Sequence, residues 1–167
     1  CEGQQSDMEF EKREDVRVEE YMEMIRLKTA VLLSCALQTG ALIGGASAEE
    51  RERIGAFGEH LGLAFQLRDD LLDAFGDPAK TGKQQGGDLR AGKKTFLLIR
   101  GSQRAAEERF GSLREELMKP AAERDVPKML RSLETLGVRA EAEAEVARHE
   151  RAAVEALDAV AVPEERK

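Results

Sequence analysis

Leu63–Asp77 reads LAFQLRDDLLDAFGD, and the fold of the chain is decided by how this stretch is understood. At 100° per residue, Gln66, Asp69, Asp70 and Asp73 fall within an arc of about 100° on a helix. Leu63, Ala64, Phe65, Leu67, Leu71, Leu72, Ala74 and Phe75 cover the remainder. Three carboxylates on one otherwise apolar helix repel each other, and leaving them bare inside a protein is costly. A solvent-facing acidic stripe is the ordinary explanation of such a cluster. A hard divalent cation is the alternative, because magnesium takes a few carboxylates together with waters and phosphate oxygens.

The residues that follow favour the cation. Gly76-Asp77-Pro78 ends the helix, and 77–92 (DPAKTGKQQGGDLRAG) forms a long polar, glycine-rich loop of the kind that often carries function. Lys83, Lys93 and Lys94 lie in it or at the start of the next helix. Lysines offer point charges to phosphate oxygens, glycines let the backbone come close, and a helix N-terminus near Lys93 favours an anion. A lysine- and glycine-bearing loop alone reads as solvated. An acidic triad followed by one describes a metal-bridged diphosphate site, with acids on the metal and lysines on the phosphates.

Working outward, the chain is helical throughout. Residues 1–15 are charged, with a turn-like Gly3. From Val16, apolar residues at Val18, Tyr21, Met22, Ile25, Thr29, Leu32, Leu33 and Ala36 recur at three- and four-residue steps, and Gly44-Gly45 stops that helix. Ser47 with Glu50 is a capping box for the helix that contains the acids. A third helix is expected over 93–110. Pro120 marks a break, Asp125 and Pro127 open a short helix closed by Gly137, and a weakly amphipathic helix over 138–160 is expected on the outside of the bundle. Ala, Leu, Glu, Arg and Lys dominate and no convincing strand appears, so the chain reads as one all-α antiparallel bundle, with a core over 1–110 and peripheral helices over 111–167.

Charge and cysteine content narrow the function. A net charge of −7 argues against general nucleic-acid binding, which needs a basic face. Cys1 and Cys35 form neither a disulfide framework nor a CxxC site, and Cys35 is expected as a buried thiol. His60 and His149 have no acidic or cysteine partner at ligand spacing and read as structural. Arg68 falls on the apolar side of the acidic helix, with an acid on a neighbouring helix as the partner it needs. Thr29–Ala46 is an 18-residue run without a charge. It contains Ser34, Gln38 and Thr39 and lacks interfacial Trp or Tyr, so it is expected as a buried central helix and not a membrane span. The Gly40–Gly44 spacing suits a closely packed helix pair. The first residue is Cys, not Met, and a piece of a longer chain is expected.

These motifs resemble the trans-isoprenyl diphosphate synthases. FQLRDDLLD is similar to the second aspartate-rich motif of that family, FQ followed after two residues by DDxxD. Gly3-Gln4 with Asp7 resembles its GQ-x-x-D segment. Tyr21, Lys28 and Thr29 in EEYMEMIRLKTAVLL resemble its lysine-threonine helix, and GALIGGA the end of that helix. TGK, GGD and GKKT resemble the loop after the acidic motif. The likeness is strong over 1–100 and only helical and compositional beyond.

The resemblance implies the C-terminal part of the isoprenoid synthase fold, an all-helical and usually homodimeric cytoplasmic enzyme that joins isopentenyl diphosphate head-to-tail to an allylic diphosphate. It implies Mg2+ held by Asp69, Asp70 and Asp73, with Asp69 the main ligand and the other two supporting. It places Lys28, Lys83 and Lys93 on the allylic diphosphate, Thr29 and Gln66 near the ionising carbon, and Gln4 and Asp7 on the cavity wall. Lys94 and Lys80 are expected as solvated lysines. The family's first aspartate-rich motif and the arginine pair after it have no counterpart in the sequence. The chain alone is therefore expected to be inactive, and product length and primer stay open. A non-catalytic or regulatory subunit with the same half-fold is the alternative. A terpene cyclase fits less well, because the FQ prefix and the GGD–GKKT loop differ from a cyclase's second metal motif.

Overall fold

The computed structural model describes residues 2–82 and 85–161, without the side chains of Lys80 and Thr81. Among the described residues there is no strand. The helices are α1 (Glu2–Phe10), α2 (Val18–Ile25), α3 (Val31–Ile43), α4 (Ala48–Phe75), α5 (Pro78–Thr81), α6 (Gly87–Ala91), α7 (Phe96–Glu107), α8 (Gly111–Leu117), α9 (Val126–Thr135) and α10 (Val138–Asp158). A π-turn over Arg26–Ala30 joins α2 to α3, and a 3-10 turn over Ala121–Glu123 precedes α9.

The 28-residue α4 is the spine. The Ser47 hydroxyl accepts from the Glu50 N–H, and the Glu50 carboxylate accepts from the Ser47 N–H. These bonds satisfy two donors that a helix start otherwise leaves unpaired. The Thr95 and Asp125 side chains each accept one backbone N–H, from Leu98 and Lys128, and so cap α7 and α9. The core is built from Tyr21, Met24, Ile25, Leu67, Leu71, Leu97, Leu98, Leu113, Met129, Leu133, Val138 and Val146, all nearly or fully enclosed. Buried Glu116 ties α8 to α9. It accepts from Lys119 at 2.8 Å, Lys128 at 3.0 Å and the Asp125 N–H at 3.0 Å. The Lys119 ammonium, that N–H and Lys128 hold its carboxyl down at about 2.

The structure revises several expectations. Gly3 is no turn: it lies inside α1, and a Cβ there would fall on the Lys28 backbone nitrogen. The 77–92 loop contains two short helices, α5 and α6. The third helix begins at Phe96, after its cap Thr95, so Lys93 and Lys94 precede it. α8 is a further helix beyond the one expected over 93–110, in a stretch where no element was expected.

The uncharged 29–46 segment departs furthest from its reading as a buried helix. One side of α3 packs on α4, where Gly55, Gly58 and Gly62 allow close approach: a Cβ on Gly62 would lie 2.6 Å from Ala30 Cα. The other side is bare. Leu32 is 73% exposed and Ile43 83%, Cys35 is exposed, and Gly40 has nothing within 4 Å of where its Cβ would be. Apolarity predicts that a helix is to be covered, but not that residues of the same stretch of chain will do it. No described helix is long and apolar enough to cross a membrane.

The C-terminal helix is more than peripheral. α10 lies along α4 and buries Val138, Ala142, Val146, His149 and Ala153. Arg68 finds its partner there, Glu150 at 2.8 Å. His60 Nδ1 lies 2.9 Å from His149 Nδ1. Burial, with Arg148 and His60 nearby, pushes the His149 imidazole down to about 4, so it is neutral.

Candidate active site

The glycine stripe and the acids are one surface. Gly55, Gly58, Gly62, Gln66, Asp69 and Asp73 fall within an arc of about 80° on α4. Its first half is glycine because α3 presses on it; its second half carries the functional groups. The changeover lies at Gln66, whose Oε1 accepts from Thr29 Oγ1 at 3.4 Å. Thr29 and Lys28 belong to the π-turn, an extra residue in the helical winding of a kind common at functional sites. The KT dipeptide marks the place in sequence; periodicity does not reveal the wider turn.

Lys28 Nζ reaches Asp7 Oδ2 of α1 at 2.6 Å, and Gly3 one turn earlier permits that approach. Gln4 lies exposed on the same helix, one turn from Asp7. The site is thus closed on one side by α1, which the sequence reading left without a structure.

The three acids have three environments. Asp69 is exposed. Asp70 is 5% exposed and accepts a short hydrogen bond from the hydroxyl of Tyr21, itself 2% exposed. Burial drives the Asp70 carboxyl up to about 7, although Tyr21, Lys93 and Gln66 favour its charged form. Burial and the Asp70 charge likewise push the Tyr21 phenol well above its ordinary value. Asp73 is partly buried beneath the returning loop: the Asp88 N–H donates to its Oδ2 at 3.0 Å and the Gly86 N–H to its carbonyl at 2.7 Å. Gly86 has a φ of 70°, which favours glycine, and a Cβ on Gly87 would meet Asp73 Oδ1 in a tight 3.3 Å contact.

Asp88 then holds Lys93, with Nζ 3.3 Å from its Oδ2. Burial alone would lower the Lys93 pKa, but Asp88, Asp70 and Asp7 outweigh it and leave the ammonium above the usual lysine value. Lys28, Thr29, Gln66, Asp69, Asp70, Asp73 and Lys93 are therefore assembled at one end of α4. Lys83 lies outside the described residues. Asp88 and the Tyr21–Asp70 bond are what residue-by-residue reading missed; GGD was the only signal for the first, and nothing local signals the second. Among the described residues, no three His, Cys, Asp or Glu side chains converge as a ready metal-ligand group. The donor chemistry nevertheless fits magnesium, which takes one or two carboxylates and completes its shell with water and phosphate oxygens. Asp69 and Asp73, one turn apart on the same face, are the carboxylates placed for it.

A buried acid–tyrosine pair, the exposed Asp69, the partly covered Asp73 and two lysines around a glycine turn thus share one end of α4. Comparison with known proteins places the chain in a family. The polyprenyl synthetase family model matches residues 1–133, and the chain belongs to that family. A short chain isoprenyl diphosphate synthase of Methanothermobacter thermautotrophicus is 47% identical over 107 residues, covering 64% of this chain and 33% of its own length. A (2E,6E)-farnesyl diphosphate synthase of Mycobacterium bovis is 48% identical over 94 residues, 56% of this chain and 26% of its own. A geranylgeranyl pyrophosphate synthase from Corynebacterium glutamicum, crystallised with isoprenyl diphosphate and magnesium, superposes with a TM-score of 0.87 at 34% identity, over 98% of this chain and 47% of that one. The chain spans 33% and 26% of the length of these curated relatives and about half of the solved one.

Proposed function

We propose that the chain forms the ionising half of a trans-prenyl diphosphate synthase, which joins isopentenyl diphosphate to an allylic diphosphate and releases pyrophosphate. The observation that carries this reading is the assembly of Asp69 and Asp73 on one face of α4 with Lys28 and Lys93 around it. Lys28 and Lys93, with Lys83, bind the allylic diphosphate. Asp69 and Asp73 hold magnesium, and Asp70, turned into Tyr21, supports them from behind. Bound there, magnesium supplies positive charge to the departing pyrophosphate. Thr29 and Gln66 orient polar atoms toward the ionising carbon, and the exposed Phe65 and Leu72 offer apolar wall that keeps water from a carbocation. Charge stabilisation of the leaving group is the main catalytic task in such a reaction.

The partner half, with the first aspartate-rich motif, is the natural cover for the bare side of α3, and the whole enzyme is a homodimer in this reading. Without it the chain is inactive. Calorimetric titration with pyrophosphate should show a magnesium-dependent increment in binding, with a dissociation constant near millimolar, about −4 kcal/mol. That increment should vanish in Asp69→Ala. Equal binding with and without magnesium would remove the acids from the site, and prenyl transfer by the 167-residue chain alone would overturn its dependence on a partner half.

A further inference from the structure

A second cleft lies away from this face. It has a volume of about 1190 Å³ and opens between the segment after α1, the α6–α7 connection and helices α7 and α8. Six basic side chains line it against two acidic ones, Glu11 and Glu14, in a chain whose net charge is −7. Two of the basic groups are already engaged. Arg13 pairs with Asp15 and Glu20, and Arg124 donates to the carbonyls of Arg90, Leu117 and Lys119. The other four, Lys12, Lys94, Arg109 and Arg114, pair with no acid among the described residues.

Arg109 sits at a position where another residue is preferred. Phe110 N–H donates to the Ala105 carbonyl at 2.8 Å, closing α7 with a Schellman turn that places Arg109, at φ 54°, in the left-handed conformation. Glycine is the residue suited to that position, and arginine is there against its backbone preference. Arg109 is exposed and lines the cleft. Beside the cations the wall is apolar: Phe110, Leu117 and Met118, the last 79% exposed. Cations next to an open apolar wall in a concave site match a small anion with a hydrocarbon tail.

We propose that this cleft binds a phosphorylated amphiphile as a monomer, with the phosphate on Arg109, Arg114, Lys12 and Lys94 and the tail on Phe110, Leu117 and Met118. The site is distinct from the acidic face of α4 and needs no magnesium. Titration of the chain with octyl phosphate in the presence of EDTA should saturate, and inorganic phosphate should bind more weakly. Arg109→Gly and Arg114→Gln should each weaken octyl phosphate binding about fivefold, the size of one partly solvated charge-assisted contact. Arg109→Gly should at the same time leave the melting temperature unchanged or raised, since it relaxes the turn, which separates lost binding from lost folding. Asp69→Ala, which abolishes the magnesium-dependent pyrophosphate increment, should leave octyl phosphate binding intact, so the two sites fail separately. The proposal is overturned if octyl phosphate binds no tighter than inorganic phosphate, if both arginine variants bind like the parent, or if Asp69→Ala abolishes the binding. Binding to phosphatidic-acid vesicles without binding of octyl phosphate would make the patch a membrane contact and also overturn it.

Discussion

The front and back of α4 are both unusually polar for the central helix of a bundle, and they solve that problem in opposite ways. On the back, His60 meets His149, Arg68 meets Glu150 and Arg53 donates to the Ala159 carbonyl, so each polar group is answered by α10. On the front, Asp69, Asp70 and Asp73 gather with Asp7 and Asp88 around Lys28 and Lys93, an excess of negative charge among the described residues. The back is a finished seam. The front concentrates charges of both signs on one surface, a physical mark of a binding site on an otherwise structural helix.

From this contrast and the proposed function, front substitutions should cost turnover and back substitutions stability. Under the proposed function the largest effect should come from Asp69→Ala, assayed together with a partner half, with turnover reduced on the order of 100-fold. Asp73→Ala should cost less, because Asp73 is partly spent on the Asp88 N–H. Equal and small losses in a steady-state assay would return the acids to the status of a surface stripe.

Gly62→Ala sharpens the contrast within the front face, where packing gives way to chemistry. Its Cβ would lie 2.6 Å from Ala30 Cα, a backbone atom that cannot swing aside. Thermal unfolding should report a loss of about 1–3 kcal/mol. No loss would mean that α3 slides freely on α4.

His149 tests the seam through pH. Its imidazole is held neutral, with a pKa of about 4 in place of 6.5, and the unfolded chain therefore takes up a proton that the folded chain refuses. Stability from this group is present above pH 6.5 and is lost as pH falls toward 4, by roughly 1–3 kcal/mol. The groups facing it, His60, Arg148 and Glu145, remain in His149→Gln, whose stability should fall less steeply over the same range. Parallel curves for parent and variant would dismiss His149 as the source.

The smallest effect is expected from Arg68→Ala. Its pair with Glu150 is half-exposed on both sides and solvent-screened, so urea denaturation should show a change of about 0.5 kcal/mol or less. A loss of several kcal/mol would mean that the seam depends on this ion pair and not on its apolar packing.

The sequence by itself determined what depends on neighbours a few residues apart. Ser47 and Glu50 opened α4, Asp125 and Pro127 opened α9, Gly137 separated it from α10, and four residues spaced through Leu63–Asp77 placed the acids on one face. Those are local hydrogen bonds and helical angles, legible without a third dimension. The tertiary structure decided what depends on distant partners. Asp70 differs from Asp69 only because Tyr21, 49 residues earlier in the chain, takes its carboxylate into the interior. Arg68 and His60 have partners because α10 returns along α4, and Asp73 is covered because two glycines let the loop fold back. Thr29–Ala46 was legible as a helix that needs covering, while its exposure was not, since hydrophobicity states a requirement for burial and only packing determines which part of a protein meets it.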